Sequence, residues 1–513
     1  MRVIVLLIVF LFQVGLVSGQ TSLAAINLSN GKHTVGFQHY TLIDSTRTYQ
    51  IRDKFNNEFT HRIIPVSIWY PAETSNGNTN QLTLLKYLEI LKEEEEWENL
   101  PNEYLLQWFH YLWDTPANRA HLPEKTNAYL NAQAFEQQFP VIVYAPSYQA
   151  SSIENFALCE YLASHGYVVI ASPSRGTKIR WLEGGTPKDL ETQSRDVEFL
   201  LKEIYKYKNI DTDNIALMGF SFGGMANAIT AMKNRSIDAV VSLDGTERYN
   251  YPVLAQSPYF DLDKFTVPYV HFAQKEIPET VLKADNIPEE LNYIYQLYDS
   301  LQYSNVYRYK FHHLSHSYFS SYGVLFGNRD KRKDKSDEEI MASYKLLTEH
   351  VLQFLDATLK NEANARQFIE NGPVKNGFSA DLISKKMKKS IEQPFDYRDF
   401  MDLAYQQDFE DLIQLYEETM KRHPDFQIPE VVLNKLGLQL TFDPTRGEEG
   451  IKIFELALHI YPNSANLYDS MGTSYFYNKD YQNAEITYKK SLVLNPDNQH
   501  AINKLQELQE LNN

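Results

Sequence analysis

The sequence predicts a two-part protein: an α/β domain built on a mostly parallel sheet with helices on both faces, followed by an all-α domain. Three observations carry this. From about residue 140 to 360, short apolar runs alternate with stretches of helical periodicity, the pattern of strands buried on both faces and separated by crossover helices. A glycine-rich turn joins one of these strand-like runs directly to a helix-like one. Beyond residue 396 the chain repeats itself with a period of about 34 residues, which points to stacked helix pairs. The 513 residues leave room for both parts, and 43% hydrophobic against 22% charged residues excludes a disordered chain. A net charge of -17 disfavours broad binding to nucleic acid or to an anionic membrane surface.

Taken in order, the first element is a leader. Met1-Arg2, the apolar run 3–17 and the small residues Ser18-Gly19 have the layout of a signal peptide, residues 1–19, so export is expected, to a periplasmic or extracellular space. The run is shorter than the roughly 20 residues a spanning helix needs, and no later stretch reaches that length. The α/β domain is expected over residues 31–373. Its first part, 31–70, is strand-like and closes on Ile68-Trp69-Tyr70-Pro71. Residues 81–135 then break the rhythm with helical patterns at 82–92 and 104–113, and read as an insertion. The acidic run Glu93 to Glu96 within it reads as a solvated helix face. Leu82, Leu85, Leu88, Trp108, Phe109, Leu112 and Trp113 are expected to pack onto the core, with peripheral contact to a lipid surface as the alternative.

From Pro140 the elements are strand 141–144, helix 155–164, strand 167–171, helix 193–206 and strand 215–218. Strands at 239–243, 267–272 and 306–311 follow, then an amphipathic helix at 338–360. Cys159, the single cysteine, falls on the buried face of a helical pattern and reads as a small core residue with no disulfide partner. Residues 374–395, with Lys385-Lys386-Met387-Lys388-Lys389, read as a solvated basic linker.

In the last part, 396–513, Tyr468, Met471, Gly472, Tyr475, Ala484, Tyr488, Ser491 and Pro496 fall on one helix-turn-helix register that resembles a tetratricopeptide repeat. Phe454, Ala457 and Pro462 repeat it one unit earlier, with Gly437 one residue out of step, and Tyr416, Thr419 and Pro424 suggest a degenerate third. Ile502, Leu505 and Leu508 fit a closing helix that covers the last apolar face.

The chemistry sits in Gly219-Phe220-Ser221-Phe222-Gly223-Gly224, between strand 215–218 and a small-residue helix. A G-x-S-x-G turn in that context is tight enough to need its glycines and lifts the serine hydroxyl above the sheet edge. Ser221 is therefore expected to be a nucleophile, which needs a base and an orienting acid later in the chain. Asp244 directly follows strand 239–243 and is the preferred acid, with Glu276 after the next strand as the alternative. His316, well into the loop after strand 306–311, is the preferred base over His312 and His313. The i, i+4 pair His312 and His316 lacks an acidic partner motif, so neither a metal nor a cofactor is expected. The N–H of Phe222 supplies one oxyanion donor. The second is expected from the loop after strand 141–143, where Pro146 has no N–H to give.

With these pieces the chain resembles the platelet-activating-factor acetylhydrolase branch of the α/β-hydrolases, with features of dienelactone-hydrolase-like esterases. The matching segments are Ile68-Trp69-Tyr70-Pro71-Ala72, Phe139-Pro140-Val141-Ile142-Val143, Leu162-Ala163-Ser164-His165-Gly166-Tyr167, the Ser221 turn, Leu243-Asp244-Gly245, and His316 followed by Phe319. The resemblance implies an α/β-hydrolase fold over about residues 31–370 and a Ser221-His316-Asp244 triad. It places Tyr148 with Phe222 at the oxyanion, and implies metal-free hydrolysis of carboxylic esters, including short-acyl phospholipids. This chain departs from the family at Pro146-Ser147, where His-Gly is usual, and at Phe220, where a histidine is usual. The expected function is that of an exported serine esterase acting on small-molecule or lipid esters. The alternatives are a peptidase or amidase with the same triad, and an adaptor whose repeats bind a protein partner while the hydrolase domain is vestigial.

Overall fold

The apolar runs become strands of one sheet. In the computed structural model, which describes residues 21–52, 57–73, 80–109, 112–326 and 334–511, the strands in chain order are as follows. They are β1 (Thr34–Arg52), β2 (Asn57–Ala72), β3 (Gln81–Thr83), β4 (Lys125–Leu130), β5 (Phe139–Ala145), β6 (Val168–Ala171), β7 (Ile210–Phe220), β8 (Ala239–Leu243), β9 (Tyr269–Ala273), β10 (Val306–Phe311) and β11 (Ile383–Lys388). The described residues form an 11-stranded sheet in the order β11-β10-β9-β8-β7-β5-β6-β2-β1-β4-β3. Neighbours from β6 to β10 are parallel, as the alternating pattern predicts. The long β1–β2 hairpin, β2 against β6, β3 against β4, and β11 against β10 are antiparallel. The expected signal peptide, residues 1–19, lies outside the described residues.

Period-two alternation along the central strands divides their side chains between two cores. Ile142 and Tyr144 of β5, Ala216 and Met218 of β7, and Val241 and Leu243 of β8 face the core that includes helices Phe156–Ser164 and Asp337–Thr358. Val141, Val143, Ile215, Leu217 and Val240 face the other, with helices Pro187–Glu203 and Phe222–Lys233. The chain leaves β5 for β6 on one side and returns to β7 on the other. The sheet therefore reverses its winding direction at β5 and β7, and the crevice outside their carboxyl ends is where such sheets bind ligands. Cys159 is buried inside helix Phe156–Ser164.

Two expected segments differ. The insertion 81–135 holds helices, Leu84–Glu94, Leu105–Trp108 and Pro116–His121, but it also gives the sheet β3 and β4. Most of its apolar residues pack inward, Leu82, Leu88, Phe109 and Leu112 among them, whereas Trp97, Trp108 and Trp113 stay exposed. The basic linker 374–395 is in large part not a linker, because β11 pairs along the whole of β10. Two of its lysines have acceptors that the sequence does not reveal. Lys385 donates to the carbonyls of Ile369, Glu370 and Asn371 at the end of helix Ala363–Glu370, and Lys388 to those of Tyr298 and Asp299. Cations at helix C-termini satisfy orphan carbonyls and complement the helix dipole, so a run that looks solvated is anchored.

The chain divides into two compact units, Met1–Ile391 and Glu392–Asn513. The second is helical: Tyr397–Gln406, Leu412–Arg422, Glu430–Thr441, Gly447–Ile460, Ala465–Tyr477, Tyr481–Leu494 and Gln499–Leu511. Two of its pairs share one device. A Cβ on Gly472 would come within 2.7 Å of the Tyr488 ring, and one on Gly437 within 2.6 Å of the Phe454 ring. Only glycine lets the aromatic side chain of the following helix lie against the backbone there. Among the described residues no helix is long and apolar enough to cross a membrane.

Candidate active site

β7 ends in Phe220, and the next residue, Ser221, has φ 53° and ψ -118° before helix Phe222–Lys233 begins. A serine with positive φ is strained and persists only when its surroundings fix it. The fixing contacts are backbone: the Ser221 N–H donates to the Leu243 carbonyl at 3.1 Å, and the Ser221 carbonyl accepts from Gly224 and Thr246 at 3.0 and 2.8 Å. The turn also explains its glycines. A Cβ on Gly219 would lie 2.4 Å from the Gly223 carbonyl carbon, and one on Gly223 only 2.0 Å from the Ala145 oxygen.

Three residues far apart in sequence meet here. His316 Nε2 lies 3.0 Å from Ser221 Oγ, and His316 Nδ1 lies 2.7 Å from Asp244 Oδ2. With Nδ1–H donating to Asp244, Nε2 is left to accept the serine proton. Ser221 is 9% exposed and Asp244 0%, while the His316 side chain is 41% exposed. β8 delivers Asp244, whose own φ is 42°. Its carboxylate also accepts from the Gln274 N–H at 3.0 Å and from the Tyr249 hydroxyl at 3.0 and 3.1 Å, with Arg248 Nη1 at 3.6 Å. Burial pushes the Asp244 carboxyl up, but the His316 hydrogen bond and the His316 and Arg248 charges outweigh it and hold the group below its ordinary range. Asp244 is thereby kept as an anion beside the imidazole.

The alternatives weighed in the sequence lie elsewhere. Glu276 is exposed and accepts from the Tyr293 hydroxyl at 2.8 Å. His312 meets Ser384 Oγ at 3.1 Å, on the β11 side of β10. Among the described residues no group of three or more His, Cys, Asp and Glu side chains is placed to hold a metal ion.

Tyr148 and Phe222 meet edge to face, ring centroids 5.8 Å apart, so the two residues named for the oxyanion are neighbours. As the first residue of its helix, Phe222 has an N–H with no carbonyl a turn earlier to bond, and the helix dipole favours negative charge in front of it. The Tyr148 loop is pinned on every side. Ser147 donates its N–H and hydroxyl to the buried Glu154 at 2.9 and 2.7 Å, which is the use this chain makes of serine at that position. Gln149, at φ 55°, bonds the Arg180 carbonyl and the Leu182 N–H, and the Tyr148 hydroxyl accepts from the Gly184 N–H at 2.9 Å.

The acidic run Glu93 to Glu96 is not a solvated face. Glu93 pairs with Thr41 and His39, Glu94 with Ser151 and Ser152, Glu95 with Arg180, and Glu96 with Tyr49. Its partners Ser151, Ser152 and Arg180 belong to the two loops that border Tyr148, so the inserted helix ties those loops to the body of the domain. The sequence also gave no sign of Tyr249, Gln274 or Thr246, whose hydroxyl lies 3.3 Å from Ser221 Oγ. The available signal was position alone, since all three sit in the first residues after β8 or β9, at the carboxyl edge of the sheet.

The prolyl oligopeptidase family matches residues 155–260, the stretch that contains Ser221 and Asp244. Among solved structures, a ferulic acid esterase from Streptomyces cinnamoneus is similar with a TM-score of 0.49 and 17% identity, over 69% of this chain and 96% of that one. No curated protein matches. The doubly wound parallel sheet with a serine turn at its switch point gives the N-terminal unit an α/β-hydrolase-like fold, and its segment 155–260 is similar to the prolyl oligopeptidase family.

Proposed function

We propose that this chain is an exported serine esterase that cleaves carboxylic esters through an acyl-enzyme. The observation that carries the reading is the continuous hydrogen-bonded line from Ser221 Oγ through His316 to Asp244, at 3.0 and 2.7 Å. His316 Nε2 takes the hydroxyl proton as Ser221 Oγ attacks the ester carbonyl, and the imidazolium is stabilised by the Asp244 anion. The Phe222 and Tyr148 N–H groups bind the oxyanion of the tetrahedral intermediate. Collapse expels the alcohol, which leaves with the proton from His316. Water then repeats the sequence on the acyl-enzyme, with His316 as base and then acid, and releases the carboxylate.

The sequence resemblance favours short acyl chains, platelet-activating-factor-like phospholipid esters among them, and the leader-like residues 1–19 favour a periplasmic or extracellular site of action. The helix pairs of the C-terminal unit are read as tetratricopeptide repeats, which suit a protein partner. A second reading, a peptidase with the same triad, is favoured by the family matched over residues 155–260.

The test is turnover of p-nitrophenyl esters from acetate to long chain, beside peptide p-nitroanilides, by the protein lacking residues 1–19 and by Ser221→Ala. Loss of the nucleophile lowers kcat by at least about 10⁴-fold. Ester turnover that is fastest for acetate, unaffected by EDTA and lost in Ser221→Ala supports the esterase; preference for the anilides transfers the reading to the peptidase. Equal activity of the two proteins sinks both.

A further inference from the structure

We propose that Tyr249 and Gln274 are positioning residues that set the orientation and basicity of the His316–Asp244 pair. The inference rests on the triad reading above and deepens it.

The observation is a closed ring of hydrogen bonds. His316 Nδ1–H donates to Asp244 at 2.7 Å. The Tyr249 hydroxyl donates to the same carboxylate at 3.0 and 3.1 Å. Gln274 Nε2 donates to the Tyr249 oxygen at 2.6 Å, and Gln274 Oε1 accepts the backbone N–H of His316 at 3.1 Å. The circuit therefore runs from the imidazole through the acid, the phenol and the amide, and returns to the main chain of the histidine it started from. Gln274 closes a second link with its own N–H, 3.0 Å from Asp244 Oδ1.

The two residues that most need holding are the two that local structure holds least. The His316 side chain is 41% exposed, and the residue opens a short 3-10 turn in a loop, where no strand or helix ladder fixes it. Asp244 has left β8 with φ at 42°, so its side chain points where a regular strand would not send it. Rings flank the imidazole: Phe220 at 5.1 Å, and Tyr249 edge-on at 6.1 Å and 89°. Packing of that kind confines the plane of the imidazole, whereas the hydrogen-bond circuit fixes its rotation and its height above Ser221. Burial and the neighbouring Asp244 charge push the Tyr249 phenol well above its ordinary value, so it remains a donor across the working range.

The circuit has an electronic side as well. Every donor to Asp244 other than His316 spreads the carboxylate charge and weakens its pull on the imidazole proton. Removing the phenol hydroxyl leaves a carboxylate with fewer donors, which holds the imidazolium more tightly.

The experiment uses Tyr249→Phe, which keeps the ring, Gln274→Met, which keeps the volume, and the double variant, with p-nitrophenyl acetate as substrate and Ser221→Ala as the reference. Tyr249→Phe is expected to lower kcat by about 10- to 50-fold with KM within about twofold, and to move the acid limb of kcat/KM up by about half a pH unit. Gln274→Met is expected to lower kcat similarly. The double variant is expected to fall within about threefold of the poorer single one, because one break already opens the ring. A change in kcat of less than about twofold in Tyr249→Phe with an unmoved acid limb, while Ser221→Ala is inactive, overturns the positioning roles and leaves the triad standing. Fully additive losses with an unmoved acid limb also overturn them, since they indicate separate effects on packing. Activity retained in Ser221→Ala removes the triad reading itself, and this inference with it.

Discussion

Ser221 shows how a single residue is committed by its neighbours. Its positive φ is held by three backbone hydrogen bonds, and the glycines before and after it are required by contacts of 2.4 and 2.0 Å that any side chain would violate. Asp244 is committed differently: Tyr249, Gln274 and His316 donate to its carboxylate, and the His316 hydrogen bond with the His316 and Arg248 charges keeps it ionised in full burial. Replacing it with asparagine preserves the volume but gives His316 Nδ1 a group that can donate back, which favours the wrong tautomer. Asp244→Asn is accordingly expected to lower kcat about 10³- to 10⁴-fold, whereas Glu276→Gln, on an exposed side chain bonded to Tyr293, is expected to match wild type within about twofold. Measured ester turnover of the two variants distinguishes Asp244 from Glu276 as the acid.

At the scale of elements, helices and strands carry buried polar groups that make their packing sensitive to pH. His350, in helix Asp337–Thr358, lies among the rings of Tyr309, Phe311, Phe368 and Phe378 and donates Nδ1–H to the Leu346 carbonyl at 2.8 Å. Burial pushes its pKa down to about 4, and the Lys385 charge adds to the shift. The folded value lies below the unfolded one, so the unfolded chain binds the extra proton. The stability this provides is complete above about pH 6.5 and is lost as pH falls toward 4, by about 3 kcal/mol in all. Urea unfolding at pH 7 and pH 5 is expected to show about 2 kcal/mol of this loss in wild type, and a smaller loss in His350→Phe. The same scale explains why neither charge run is a solvated face. A charged segment reads as solvated unless its partners are known, and those of Glu93 to Glu96 and of Lys385 and Lys388 come from elements remote in sequence.

The whole molecule is two units, each with its own apolar core. Two cores flank the sheet of the first, around β5, β7 and β8, and the second unit has separate clusters centred on Phe400, Leu433 and Phe454 and on Ala484, Tyr488 and Ala501. A unit with its own core folds on its own. Residues 21–391 produced alone are expected to keep ester kcat within about threefold of the full chain, and residues 392–513 alone to give a helical circular dichroism spectrum with a cooperative thermal transition. Loss of turnover in the shorter protein would mean that the helical unit contributes to catalysis.

What was legible in the sequence is what local pattern encodes. Short apolar runs alternating with helical periodicity give the parallel sheet, the spacing of glycines around Ser221 gives the strained turn, and small residues facing aromatic ones give the helix pairs. Each depends on neighbours within one or two turns of chain, so each leaves a trace in order alone. Tertiary structure decided the rest. It placed Asp244 and His316, rather than Glu276 and His312, within hydrogen-bond distance of one another and His316 within reach of Ser221, made a strand of the basic segment at 383–388, and closed the ring through Tyr249 and Gln274. Those outcomes depend on which carboxyl ends of strands lie side by side, because a hydrogen bond is a relation in space between residues whose separation in sequence carries no record of it.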